Sequence, residues 1–310
     1  MNRRQFVVGA ASLVLVPRAL ANVHRPVVLV TADEESRLVA VDLATGRVLR
    51  HVPTLGSPRS IETVGETAVV AHTEAGAVSL VRDFRVVTVL RGFVEPRYTA
   101  AHPDGRHAYV TDASRGEVVV LDVVRGRELA REQVGAHARH VTISPSGRTL
   151  WIALGSKAEQ IAIVDLANRS NPRLARTFRP PFRAHDVAWA PDGRHVWVSS
   201  GDRQELAVYD ARSGRLLARP DGDWPPQHVT FAGALAYVTS GWSGTVRVHR
   251  VGGAELRQNP VPVGSYNVQY ADGRVLTPSL GHGALTVLDE AGRTLYRAQV
   301  ARSSHDACVV

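Results

Sequence analysis

Residues 103–127 read PDGRHAYVTDASRGEVVVLDVVRGR, and this stretch contains the pattern from which the fold follows. Residues 107–111 and 118–122 are short runs rich in alternating and β-branched residues, which is typical of strands. Pro-Asp-Gly precedes the first run and Gly-Arg follows the second, and both are turn sequences because proline presets φ and glycine accepts a positive φ. The stretch therefore predicts two strands of one antiparallel sheet, bounded by tight turns.

The same pattern recurs seven times along the chain. The residue that closes the second of these runs falls at Asp42, Arg82, Asp122, Asp165, Asp210, Arg250 and Asp289. Neighbouring copies are 39 to 45 residues apart, and each contains four strand candidates, whereas residues 22–310 contain no long segment with helical periodicity. Four short strands repeated at this spacing are typical of a β-propeller. We therefore expect an all-β, seven-bladed β-propeller with four antiparallel strands per blade.

The two ends of the chain predict how the ring closes. Residues 305–310 read HDACVV and match the first-strand pattern of residues 185–190, HDVAWA. Residues 27–31 match a second strand instead. We therefore expect the C-terminal strand to be the innermost strand of blade 1, where it removes an exposed sheet edge and buries Cys308.

These repeats resemble the YVTN family of β-propellers. The resemblance is carried by VTISPSG at 141–147, VAWAPDG at 187–193, AYVT at 108–111 and VVVLD at 118–122, and it extends over residues 22–310. It implies a single propeller domain. The family includes lactonase-like enzymes, cytochrome d1-like haem domains and proteins without a known role, so the resemblance does not select one activity.

Residues 1–21, MNRRQFVVGAASLVLVPRALA, form an expected cleavable export signal. Paired arginines precede an apolar run of about 11 residues, too short to span a bilayer, and Ala-Leu-Ala offers a cleavage site. The Arg-Arg-Gln-Phe sequence resembles a twin-arginine signal. We therefore expect residues 22–310 to be one periplasmic or extracellular domain that keeps no stable membrane span after cleavage.

Composition excludes several classes of protein. A single cysteine excludes an intramolecular disulfide and a cysteine-based zinc site. The formal net charge of +8 suggests nucleic-acid binding, but the arginines are spread through the repeat turns and the protein is expected to be exported, so we predict no nucleic-acid partner. The sequence contains no G-x-S-x-G nucleophile motif, phosphate-binding loop or C-x-x-C-H haem motif.

Aligned first strands place two rings of side chains at one mouth of the central channel. The first ring is Arg59, Arg97, Arg139, His185, Gln227, Tyr266 and His305, and the second ring is Ser60, Tyr98, His140, Asp186, His228, Asn267 and Asp306. Four of the 13 histidines of the chain lie in these rings. From them we predict a ligand-binding funnel formed by Arg59, Arg97, Tyr98, Arg139, His140, His185, Asp186, His228, Asn267, His305 and Asp306.

The chemistry of these residue types favours an anionic ligand or a cofactor. Arginine pairs with carboxylates and phosphates, whereas imidazole binds divalent transition metals and haem iron. We predict His185, His228 and His305 as metal ligands, and a divalent metal and a haem-type tetrapyrrole remain the two cofactor alternatives. A different interpretation also remains open, in which the His and Asp side chains only cap strand ends and satisfy backbone groups between blades.

Three functions are therefore open. The first is an exported protein that binds a small anionic molecule or a cofactor in the funnel. The second is a metal-dependent, lactonase-like hydrolase or lyase in which His185, Asp186, His228 and His305 are the candidate groups. The third is a protein–protein interaction platform, for which Trp224 and Trp242 are the suggestive residues.

Overall fold

The computed structural model describes residues 26–155 and 158–310, so the expected export signal lies outside the described residues. Seven four-stranded antiparallel sheets are arranged as the blades of a propeller, and the described residues contain no α-helix. One 3-10 helix spans Asp33–Glu35. The predicted fold class is confirmed.

The strands follow one another blade by blade along the chain. Blade 1 takes β1 (Val27–Ala32), β2 (Arg37–Asp42) and β3 (Val48–Pro53); blade 2 takes β4 (Pro58–Val64), β5 (Thr67–His72), β6 (Ala77–Arg82) and β7 (Arg85–Arg91); blade 3 takes β8 (Pro96–Ala101), β9 (His107–Asp112), β10 (Glu117–Asp122) and β11 (Arg127–Gln133). Blade 4 takes β12 (Val141–Ile143), β13 (Thr149–Ala153), β14 (Ile161–Asp165) and β15 (Arg173–Phe178); blade 5 takes β16 (Ala184–Trp189), β17 (His195–Ser200), β18 (Leu206–Asp210) and β19 (Leu216–Ala218). Blade 6 takes β20 (Val229–Ala232), β21 (Leu235–Ser240), β22 (Thr245–Arg250) and β23 (Glu255–Pro260); blade 7 takes β24 (Gln269–Ala271), β25 (Arg274–Pro278), β26 (Ala284–Leu288) and β27 (Thr294–Gln299), and β28 (Ala307–Val309) returns to blade 1.

The two middle strands of each blade form the core. Every residue of β9 and β10 is buried, whereas the outer strand β11 of the same blade is half-buried or exposed. Strands that are covered on both faces read as continuous apolar runs, which explains the β-branched stretches of the repeat. Apolar side chains of neighbouring blades meet in clusters between the sheets, and Tyr109 of blade 3 packs with Leu150 of blade 4 in one of them.

Strand β28 closes the ring as the sequence predicts. It pairs antiparallel with β1, placing Leu29 opposite Cys308 and Val28 opposite Val309. Cys308 is buried in the apolar cluster between blades 1 and 2. Blade 1 is therefore completed by the C-terminal end of the chain, and β1 is not left as an open edge.

A buried hydroxyl on the second strand links the first strands of neighbouring blades. Thr111 accepts a hydrogen bond from the backbone N–H of Tyr98 in its own blade (3.2 Å) and donates to the carbonyl of Arg139 in the next blade (2.5 Å). Ser199 and Thr239 occupy the equivalent position and make the equivalent pair of bonds. These hydroxyls satisfy backbone groups where the two chains approach the channel.

Carboxyl groups inside the channel provide further links. Asp306 accepts hydrogen bonds from the backbone N–H groups of Ala307 (2.9 Å) and of Ile61 in blade 2 (3.1 Å). Glu62 lies beyond Ile61 and accepts from the N–H of Thr63 at 3.1 Å. Burial, reinforced by the nearby Asp306 carboxyl, raises the pKa of Glu62 to about 8, and burial raises the pKa of Asp306 to about 7.

We predict that Thr111→Val lowers the free energy of unfolding by about 1–3 kcal/mol, because the buried N–H of Tyr98 and the carbonyl of Arg139 both lose their partner. Chemical denaturation followed by far-UV circular dichroism measures the change. Thr294→Val on the exposed outer strand is the matched control. Equal losses in the two variants would contradict the role given to the Thr111 hydroxyl.

We also predict that Glu62 makes the fold less stable at alkaline pH. A carboxyl whose pKa is raised in the folded state, here from 4.5 to about 8, binds its proton more tightly when folded, so its contribution to stability is lost as pH rises through that window. Glu62→Gln should match the parent at about pH 5 and exceed it by a few degrees in Tm above about pH 8. Glu66→Gln, at an exposed turn, is the control, and parallel Tm–pH profiles for all three proteins would contradict the prediction.

Candidate functional site

The starts of the seven first strands surround a central channel. A cavity of about 300 Å³ occupies it, and all seven second-ring residues line this cavity: Ser60, Tyr98, His140, Asp186, His228, Asn267 and Asp306. Each blade therefore contributes one side chain at this level, as the aligned repeats predict. The first-ring residues precede these by one position and do not line the cavity.

Three histidines of blades 4, 5 and 6 form a cluster beside the channel. His140, His185 and His228 each offer a ring nitrogen, and these three nitrogens lie within 4.8 Å of one another. The ring of His140 lies 4.7 Å from that of His185 and 4.6 Å from that of His228, measured between centroids. The ring of Tyr98 lies 4.0 Å from that of His140, tilted by 31°. We call His140, His185 and His228 the histidine cluster.

The backbone is irregular at His185, a first-ring residue that lies beside two second-ring residues. Consecutive strand residues point to opposite faces, so His185 and Asp186 are expected to diverge. Pairing between β16 and β17 is irregular between Ala184 and Val187, which is where the strand enters the channel. A bulge of this kind redirects side chains, and it accompanies the placement of His185 beside His140.

His140 is the least satisfied of the three. It is 1% exposed, and neither of its ring nitrogens has a hydrogen-bond partner. His228 places its Nε2 atom 3.4 Å from the hydroxyl of Tyr98 and its Nδ1 atom 3.6 Å from a carboxyl oxygen of Asp186. A buried polar atom without a partner is costly, which marks the His140 nitrogens as groups available to a ligand.

His305 lies outside the histidine cluster. Its Nδ1 atom is 3.1 Å from the side-chain nitrogen of Asn267. The predicted metal ligands were His185, His228 and His305. The cluster contains the first two of these, and its third member is His140.

The histidines are held uncharged by their surroundings. Burial, together with the positive charges of Arg139 and Arg97, lowers the pKa of His185 to about 3. Burial likewise lowers the pKa of His140 and of His228 well below the usual range, with neighbouring histidines adding to the effect. At neutral pH the cluster therefore presents neutral imidazoles, which is the form that accepts protons and binds metals.

Three arginines approach the mouth from blades 2, 3 and 4. Arg59 forms an ion pair with Asp33 (3.2 Å) and Arg97 with Glu95 (3.4 Å). Within the described parts of the chain, Arg139 takes part in no ion pair, and its Nε atom has no hydrogen-bond partner. Burial, and then the charge of Arg139, lower the pKa of Arg97, which shows that the two guanidinium groups repel each other.

Asp186 has a structural role of the kind that the alternative interpretation of the sequence describes: it satisfies backbone groups of two blades. Its two oxygens accept hydrogen bonds from the backbone N–H groups of Val187 (2.8 Å) and of Val229 in the next blade (3.0 Å). Burial raises the pKa of Asp186 to about 7. The pair Asp186 and Asp306 thus both line the cavity and join neighbouring blades.

Several residues of the cavity wall were missed by the sequence reasoning, among them two polar residues that contact each other. Glu62 and Gln269 also line the cavity, and the Gln269 side-chain nitrogen lies 3.5 Å from a Glu62 oxygen. Glu62 lies two positions after the second-ring residue Ser60, and Gln269 lies two positions after the second-ring residue Asn267. The alternation of side chains along a strand could have identified them, because residues two apart share a face.

The two tryptophans predicted for a protein platform are exposed at the funnel rim. The exposed fraction is 50% for Trp224 and 67% for Trp242. Trp242 lies 6.3 Å from the first-ring residue Tyr266, and Ser243 donates a hydrogen bond to the backbone carbonyl of Trp224 at 3.1 Å. The loops of blade 6 therefore place both aromatic side chains beside the mouth.

Comparisons with known proteins agree with this architecture. The uncharacterized protein YncE of Salmonella typhi is 24% identical over 139 residues, which is 42% of this chain and 39% of YncE. The match thus covers about two fifths of the length of that relative. No helix in the described residues is long and apolar enough to cross a membrane.

Solved structures share the fold at low identity. A functionally unknown protein from Desulfotomaculum acetoxidans is 14% identical, with a TM-score of 0.79 over 91% of this chain and 98% of its own. The dihydro-haem d1 dehydrogenase NirN, solved in complex with DHE, is 17% identical, with a TM-score of 0.64 over 88% of this chain and 63% of its own. The family model described as "Lactonase, 7-bladed beta-propeller" matches residues 67–298, and the chain belongs to that family.

Proposed function

We propose that this propeller is an exported binding protein that holds a small anionic molecule or cofactor at the mouth of its channel. The observation that carries the proposal is the guanidinium of Arg139, which has no counter-ion among the described residues and lies close enough to His185 and Arg97 to lower the pKa of both. A positively charged group in this position is stabilised by an arriving carboxylate or phosphate.

The rest of the funnel supports an anion at the same place. Arg59 and Arg97 add positive charge on neighbouring blades, although each also pairs with a carboxylate. Asp186 and Asp306 direct their oxygens to backbone N–H groups, and in the described residues neither forms an ion pair with Arg139. The mouth therefore keeps a positive charge that a ligand can neutralise.

A tetrapyrrole that carries carboxylates is one ligand with this chemistry. Its acidic groups would pair with the arginines, and a neutral imidazole with unpartnered nitrogens, such as that of His140, could hold its metal ion. NirN, which shares the fold, is a dihydro-haem d1 dehydrogenase by name. A haem would supply redox chemistry in the funnel, while this chain would bind and orient it.

Export is proposed on the sequence of residues 1–21 alone, which combines an Arg-Arg start, a short apolar run and a small-residue cleavage site. The site then faces the periplasm or the extracellular space.

We predict that Arg139→Ala weakens anion binding about 10- to 100-fold, because a hydrogen-bonded charge pair is lost. The probes are citrate and inorganic phosphate in titration calorimetry and haemin in absorbance titration. At least one of them is expected to bind at one site per chain. Arg148→Ala, on an exposed turn of the same blade, is the control. Failure of all three probes to bind, or equal affinity in both variants, would contradict the proposal.

Hydrolysis of an anionic lactone is the second candidate function. The observation that favours it is a neutral, partly exposed His185 next to Arg139 in a member of the lactonase propeller family. His185 would take a proton from water as the water oxygen attacks the lactone carbonyl. The arginine would stabilise the oxyanion, and the proton would return to the ring oxygen as the C–O bond breaks.

If the protein is a lactonase, His185→Ala should lower kcat by about 10²-fold, the low end of the range for a general base, because a pKa of about 3 makes His185 a weak base. A pH-stat assay with a phosphorylated or carboxylated lactone measures the rate, and His51→Ala on the exposed outer strand β3 is the control. An absence of hydrolysis above the spontaneous rate would leave the binding function as the only one of the two.

A further inference from the structure

The histidine cluster has the properties of a metal site. His140 is buried with two unpartnered nitrogens, and its ring lies within 5 Å of those of His185 and His228. We infer that His140, His185 and His228 bind one divalent first-row transition-metal ion in the channel, beside Arg139. The inference deepens the proposed function, since it rests on the same funnel and adds an ion to which the anion binds.

The ligand types select the metal. Three imidazoles without thiolate suit zinc, copper, nickel or cobalt, whereas calcium and magnesium prefer oxygen ligands. Three protein ligands leave one position open in a tetrahedral site, which is the arrangement of catalytic zinc. The three nitrogens lie within 4.8 Å of one another. Metal–nitrogen bonds of about 2.0–2.1 Å require the three nitrogens to approach somewhat closer on binding.

The surroundings of His228 fit a metal ligand. Its Nδ1 atom lies 3.6 Å from a carboxyl oxygen of Asp186, and its Nε2 atom lies 3.4 Å from the hydroxyl of Tyr98. Asp186 is itself fixed by the backbone N–H groups of Val187 and Val229. A carboxylate behind a ligating imidazole orients the ring and strengthens its donor atom.

The positive charge of Arg139 bears on the same site. A divalent ion placed near this guanidinium is repelled by it, and an anion in the open position offsets both charges. Metal binding and anion binding should therefore strengthen each other, and by linkage the effect is reciprocal. This coupling separates the proposed site from a histidine cluster that only fills space.

Metal binding is tested on the purified chain after removal of metals with a chelator. Zn²⁺ affinity is measured by competition with a chromogenic chelator, and Co²⁺ is used as the spectroscopic probe. We expect one Zn²⁺ per chain and visible Co²⁺ bands of a four-coordinate site. His140→Ala should lower the affinity on the order of 100-fold. His51→Ala, exposed on β3, should leave it unchanged.

Folding is checked with circular dichroism, and His185→Gln provides a second variant at a less buried position. Binding of less than one Zn²⁺ per chain, or equal affinity in the parent, His140→Ala and His185→Gln, would overturn the inference. Arg139→Ala separates the two proposals, because it weakens anion binding and should keep the Zn²⁺ site. Weaker citrate or phosphate binding with unchanged Zn²⁺ binding in this variant supports both proposals. Weaker anion binding in a protein whose parent binds no Zn²⁺ keeps the proposed function and overturns the metal inference.

Discussion

Hydrogen bonds between the first strands of neighbouring blades are the constraint on which both the fold and the funnel depend. Apolar contacts hold the sheet faces together but do not fix the height of one blade against the next. The hydroxyl of Thr111 does so, because it binds the N–H of Tyr98 and the carbonyl of Arg139 at once. These two residues are where the first strands enter the channel. The link therefore also sets where the ring side chains leave the backbone.

Burial then decides the charge state of the side chains at the start of those strands. Burial acts in opposite directions on acids and bases: it raises the pKa of Asp186 to about 7 and lowers that of His228 well below the usual range. The contact between them is consequently not an ion pair at neutral pH, although the atoms lie 3.6 Å apart. The arginines respond differently, since a guanidinium keeps its proton even where burial lowers its pKa. Charge at the mouth is therefore carried by arginine, and the histidines supply neutral nitrogen atoms.

The repeat pattern predicts the blades, the strand order and the closing strand because it is a backbone property repeated seven times. It also predicts the second ring, since one residue per blade occupies the same register position. The histidine cluster depends on details that the alignment does not contain. His185 belongs to the other ring and joins His140 where pairing shifts between Ala184 and Val187. His305 matches His185 in register, yet its nitrogen lies beside Asn267. Likewise, the spacing of residues in the repeats does not show that the oxygens of Asp306 accept hydrogen bonds from backbone N–H groups.

The electrostatics of the funnel connect the anion and the metal. Asp33 and Glu95 balance Arg59 and Arg97, whereas Arg139 has no counter-ion within the described structure, so the mouth carries an unbalanced positive charge. An anion reduces this imbalance and a metal ion increases it. A metal held by three neutral imidazoles keeps its full charge, because none of its ligands is anionic. The ion would then depend on an external anion for its fourth ligand and for charge balance. The arginines therefore disfavour metal binding in the absence of the anion. They favour the bound metal and anion together.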